Sequence, residues 1–105
     1  MTDQQLLELA AKAAGYEISK SPAGKLWVRF VVTSWDEWNP LEDDGDALRL
    51  AVKLRLDVMC HEIGAHVDNE LSYSSEVSHN NPYAATRRAI VRAAAEIGKN
   101  MGEQV

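Results

Sequence analysis

Asn81-Pro82-Tyr83-Ala84-Ala85-Thr86-Arg87-Arg88-Ala89-Ile90-Val91-Arg92-Ala93-Ala94-Ala95-Glu96-Ile97-Gly98-Lys99-Asn100-Met101 is the stretch that decides the fold class. Asn81 offers a side-chain cap, and Pro82 fits the first helical position, where a missing N–H does no harm. Ile90, Ala93, Ala94, Ile97 and Met101 then recur at i, i+3, i+4, i+7 and i+11. That stripe is narrow and suits a helix lying on a sheet.

Working back from this helix, Ser72 to Asn81 is rich in Ser, Asn and Glu and reads as a mobile loop. Leu56, Val58 and Cys60 alternate with Asp57, Met59 and His61 as a strand; Gly64 marks a turn, and Ala65 to Leu71 can return as a more polar strand. Asn39-Pro40 leads into a second helix, about Asp44 to Arg55, with acids Glu42 to Asp46 crowding its first turn. Carboxylates there are favoured by the exposed N–H groups and the positive dipole end. Ala47, Leu48, Leu50, Ala51, Val52 and Leu54 span a wide apolar sector, which predicts a well-buried helix.

The N-terminal third has the same legibility. Thr2-Asp3-Gln4-Gln5 fits a capping box, and Leu6, Leu9, Ala10 and Ala13 recur at helical spacing up to Gly15, predicting a helix over Asp3 to Ala14. Tyr16 to Ser19 reads as a strand, Ser21-Pro22-Ala23-Gly24 as a turn, and Leu26 to Thr33 as a second, β-branched strand. The predicted order is α-β-β-α-β-β-α with no internal repeat. This is an α+β sandwich of two or three layers, with three helices and an antiparallel or mixed sheet of about four strands.

Length and composition bound the rest. The 105 residues suit a single domain spanning 1–105, and 46% apolar with 26% charged residues are globular values. Cys60 is the single cysteine, so no internal disulfide forms, and a packed small thiol in a cytoplasmic protein is expected. No apolar run approaches the ~18 residues of a membrane span, so no membrane partner is expected. A net charge of −5 argues against broad binding to nucleic-acid phosphates.

Several clusters carry possible chemistry. His61-Glu62-Ile63-Gly64-Ala65-His66 nearly spells the zinc-protease helix H-E-x-x-H but spaces its histidines by five instead of four, which takes them off a common helical face. A turn at Gly64 can still bring His61 and His66 together across a hairpin, with Glu62, Asp68 or His79 completing a weak metal site. Glu42 to Asp46 lacks the alternation and terminal Glu of a calcium loop and reads as helix-start acids. Arg87, Arg88 and Arg92 are nucleic-acid candidates, without the interleaved aromatics or Gly-rich loop that would support them. Trp35 and Trp38 flank Asp36-Glu37 and are protein-interface candidates with Arg88 and Arg92; folding back over the core edge is the alternative for the tryptophans. No Ser or Cys nucleophile sits beside a base, so no catalytic residue, cofactor or resident metal is assigned.

Trp38-Asn39-Pro40-Leu41 through Val52, together with Ala85-Thr86-Arg87-Arg88-Ala89 through Lys99, resembles the phage ABA sandwich domain. The resemblance is weaker over the first helix and Gly15, and Met59 to Ser78 departs most from it. It implies a helix-sheet-helix sandwich encoded in bacteriophages or prophages, without an assigned activity. The expectation is therefore a non-enzymatic accessory domain in the bacterial host cytoplasm, binding an unidentified host or phage protein. Nucleic-acid binding through the last helix is the second reading, a His61–His66 metal site the third, and the oligomeric state is left open.

Overall fold

The computed structural model describes residues 1–31, 34–62, 64–78 and 80–101. Its elements run α1 (Asp3–Ala14), β1 (Glu17–Lys20), β2 (Leu26–Val31), β3 (Ser34–Glu37), α2 (Asp44–Leu54), β4 (Asp57–His61), β5 (Gly64–Asp68), β6 (Tyr73–Val77) and α3 (Pro82–Met101). The α+β class and three helices stand, but the sheet is corrected. Instead of about four strands in one sheet there are two antiparallel meanders, β1-β2-β3 and β4-β5-β6. Part of the expected second strand, Val32 and Thr33, lies outside the described residues.

The two added strands are β3 and β6, both taken from polar sequence. Ser34-Trp35-Asp36-Glu37 carries no apolar alternation, yet its backbone pairs with β2, Trp27 opposite Glu37 and Val28 opposite Asp36. Tyr73 to Val77 falls in the segment expected to be a loop. It is drawn onto β5 with Val67 opposite Ser74 and His66 opposite Ser75. Ser74 is buried there and donates to the Ala89 carbonyl of α3, and Glu76 meets Arg88 and Arg92. Tertiary partners supply what strand propensity does not.

Helix ends follow the local signals closely. The Thr2 and Gln5 side chains form the reciprocal capping box, and Gly15 closes α1 in the left-handed region at φ 76°. At α2, Asp43 accepts from the Asp46 N–H at 2.8 Å. The other end is closed by Arg55, a non-glycine residue at φ 55°. The Asn81 side chain accepts from the Ala84 N–H at 3.0 Å.

These closures expose an internal repeat that the sequence conceals. The chain is α-β-β-β twice, followed by α3. Leu7, Ala10, Ala11, Ala14, Gly15 and Tyr16 correspond at one constant interval to Ala47, Leu50, Ala51, Leu54, Arg55 and Leu56. The bonds correspond too: Tyr16 N–H donates to the Ala11 carbonyl as Leu56 N–H donates to that of Ala51.

One core joins both units, with α1, α2, α3, Leu26, Val28, Trp38 and Val67 in contact. The last helix is its centre, packing against α1, α2 and the β4-β5-β6 sheet. Its buried face is accordingly wider than the predicted stripe and includes Ala85, Ala89, Val91, Ala95 and Gly98, while Met101 is exposed. Small side chains let neighbours approach on several sides. At Gly98 the approach is closest, since a Cβ there would stand 2.0 Å from the Leu9 carbonyl oxygen of α1.

Gly98→Ala should therefore force α1 and α3 apart and cost about 2–3 kcal/mol or more in urea unfolding. Gly45→Ala, whose Cβ would meet only the Arg49 and Asp43 side chains at 3.2–3.3 Å, should change stability by under about 1 kcal/mol. Equal losses at both positions would contradict the close helix contact.

Candidate functional site

The second helix is the first departure that matters for function. Its apolar sector is only partly covered: Ala47, Leu50 and Ala51 are buried, whereas Leu48 is 63% and Val52 69% exposed. This overturns the expectation of a well-buried helix. Across from Leu48, the β4 strand has all five residues exposed. Cys60 is exposed as well, not a packed thiol, because β4 is an edge strand and the helix layer does not close over it.

Between these elements lies an apolar cleft of 460 Å³. Ala47, Leu48 and Ala51 of α2 form one wall, and Val58 and Cys60 of β4 form the other, with His61 reaching the cleft only at the strand's end. Pro82, Tyr83 and Ile90 of α3 contribute further apolar lining, with Tyr83 70% exposed. Arg87 closes one end, donating Nε to the Leu41 carbonyl at 2.8 Å and Nη1 to Asp44 at 2.7 Å. It thereby ties the start of α2 to α3 and leaves little charge facing the cleft.

The acids before α2 are structural. Asp46 is buried, accepting from the Asn39 N–H at 3.0 Å and from Arg49 at 2.7 Å. Asp43 caps the helix. Tyr16 packs edge-on against Trp38, ring centroids 5.8 Å apart. Burial raises its hydroxyl above the ordinary tyrosine value; Arg49 opposes the shift and Asp46 adds to it.

Trp38 is 1% exposed. It takes the core-capping alternative and is unavailable as a surface anchor. Trp35 is exposed on the outer side of β3, with the Arg29 guanidinium 5.1 Å from its ring centre and Arg29 itself paired to Glu17. The two tryptophans, close in sequence, therefore do different work.

The arginines of α3 already hold carboxylates. Arg88 reaches Asp3 at 2.9 Å and Glu76 at 3.6 Å, and Arg92 reaches Glu76 at 2.9 Å and the Ser75 carbonyl at 3.1 Å. With Arg87 engaged at the cleft, all three members of the expected basic row pin secondary-structure elements together.

The histidines do meet. His61 Nε2 and His66 Nδ1 are 2.7 Å apart, with rings stacked at 4.8 Å between centroids, and Tyr73 stacks on His66 at 6.0 Å. At that separation one nitrogen donates and the other accepts. Both belong to the outer face of the sheet, where Met59 lies opposite His66. Glu62 and Asp68 do not complete a ligand set: among the described residues no group of three or more His, Cys, Asp or Glu side chains is gathered for a metal ion. His79 lies outside the described residues. Cys60 and His61 are neighbours in one strand and so project to opposite faces, which is not a nucleophile–base geometry.

Comparisons with protein-family models, with curated proteins and with solved structures find no match to this chain.

Of these features, sequence reading identified the histidine encounter and missed the cleft. The only available signal was Leu48 and Val52, an apolar i, i+4 pair beyond what one core face needs. Trp38→Ala should cost about 3–5 kcal/mol in chemical unfolding, as a deleted buried aromatic does. Trp35→Ala should cost about 1 kcal/mol or less, the scale of an exposed cation–π contact. Similar losses at the two positions would contradict their separate placement.

Proposed function

We propose that the chain is a non-enzymatic protein-interaction module that takes its partner along the α2–β4 cleft and the adjoining strand edge. The observation that carries this reading is the apolar cleft beside β4, whose outer edge has no strand partner among the described residues. Strand edges accept extended backbone, and apolar pockets beside them give side-chain selectivity. The resemblance to phage ABA sandwich domains supports a phage or prophage accessory role in a bacterial host, with a host or viral protein as partner.

Affinity capture from host lysate with and without nuclease tests the reading. A stoichiometric protein should survive nuclease and be lost from Leu48→Glu, a substitution at an exposed site that leaves the fold intact. Equal capture by both proteins, or a catch of nucleic acid that nuclease removes, would contradict it.

Two other readings make sharp predictions. Nucleic-acid binding through Arg87, Arg88 and Arg92 is weaker, because phosphate must displace Asp44, Asp3 and Glu76 from those side chains. A low-salt gel shift should show no retardation. Metal binding rests on one observation, the meeting of His61 and His66, whose 2.7 Å hydrogen bond a metal ion must break to be held by both rings. If it is correct, calorimetric titration with Cu²⁺ or Zn²⁺ gives one site per chain that His66→Ala removes; no heat discards it.

A further inference from the structure

We infer that the cleft and β4 edge form a symmetric contact with a second copy of this chain. This rests on the interaction reading above for the cleft as a contact face and differs in the occupant, a second copy in place of another protein.

The strand is self-complementary. Asp57-Val58-Met59-Cys60-His61 is an edge strand with every residue exposed. Antiparallel pairing about Met59 sets Asp57 of one copy opposite the partner's His61, and by symmetry His61 opposite the partner's Asp57. Val58 falls opposite the partner's Cys60, and Met59 meets the partner's Met59. The Asp–His pair thus recurs at both ends, with apolar pairs between them, as a twofold interface requires.

The isolated chain also has an electrostatic fault that this pairing relieves. Asp57 lies directly opposite Asp68 in the β4–β5 ladder, and like charges placed so destabilise a sheet. Among the described residues the Asp57 carboxylate has no hydrogen-bond or ion-pair partner. The partner's His61 supplies one. Its Nε2 already faces His66, so its Nδ1 is the nitrogen left to donate to the carboxylate. The result is an Asp57–His61–His66 chain crossing the two copies, with both nitrogens of His61 given a role.

Two of the other edges, β1 and β6, fit less well. Self-pairing of β1 also opposes Glu17 to the partner's Lys20, but those charges are already held by Arg29 and Glu8. The β6 strand would place Tyr73 opposite the partner's Val77 and Ser74 opposite the partner's Glu76, with no opposite charges to join.

Val58 and Cys60 line the cleft, so pairing at β4 also extends its apolar wall. The twofold keeps both helix layers on one side of the joined six-stranded sheet, bringing the two clefts and their Leu48 rims together. Burying those apolar surfaces supplies the attraction, and the Asp57–His61 pairs set the register.

Light scattering on the purified protein tests this directly. Wild type should elute at twice the 11.6 kDa of one chain. Asp57→Lys should raise the dimer Kd about tenfold or more, and Asp57→Lys with His61→Glu should recover most of the loss. Because Asp57→Lys also removes the Asp57–Asp68 repulsion, it should remain folded. In the same register Val58→Cys should cross-link oxidatively through the partner's Cys60, and wild type should not. A folded wild-type monomer at about 100 μM, the range where a micromolar Kd would be saturated, overturns the dimer; so does a charge swap without recovery. If that monomer still captures a lysate protein through Leu48, the interaction reading survives alone. If capture is also insensitive to Leu48→Glu, both fail.

Discussion

The rest of the molecule hangs on the closeness of α1 and α3 at Gly98. The Leu9 carbonyl occupies the space a side chain would need there, so the two helices meet backbone to backbone. Such a contact excludes water and maximises dispersion, but only small residues permit it. The alanines of α3 extend the same economy to its other sides, where it receives α2 and the β4-β5-β6 sheet. One slender helix therefore serves as core for both α-β-β-β units. The consequence appears at the periphery: the helix layer does not close over β4, and the cleft opens between that strand and α2.

What was legible in the sequence was what local chemistry decides. Thr2 with Gln5, Gly15, and Asn81 before Pro82 satisfy helix ends by themselves, and α1 and α3 begin where those signals stand. Strands β3 and β6 were illegible because Ser, Asp and Glu carry no apolar alternation; β6 forms because Ser74 and Glu76 find partners on α3. The repeat was hidden for a related reason. Arg55 adopts the left-handed closure that glycine adopts at position 15, and Asp46 is buried where Leu6 is buried in the first unit. Geometry recurs there while residue type does not.

The candidate site shows the same division. The meeting of His61 and His66 follows from a turn between short antiparallel strands, which spacing alone suggests. The placement of Trp35 and Trp38 does not follow, since only the chain's departure from β3 decides which ring enters the core. The basic row on α3 misleads in isolation because its carboxylate partners come from α1, α2 and β6. Once those pairs form, the charge that suggested phosphate binding is spent on holding elements together. Exposed apolar side chains at Leu48, Val52, Val58, Met59 and Tyr83 stand around α2, β4 and the start of α3, with others at Trp35, Leu71, Tyr73 and Val77.

Amide hydrogen exchange along β4 tests most directly whether that surface is a contact face. Backbone groups on an open strand edge exchange freely, and a paired edge is protected. The account predicts that those amides within Asp57–His61 that point away from β5 gain protection as protein concentration rises, while β5 amides, already paired on both sides, do not change. Exchange in β4 that is fast at every concentration, and that stays fast when a captured protein is bound, would contradict it.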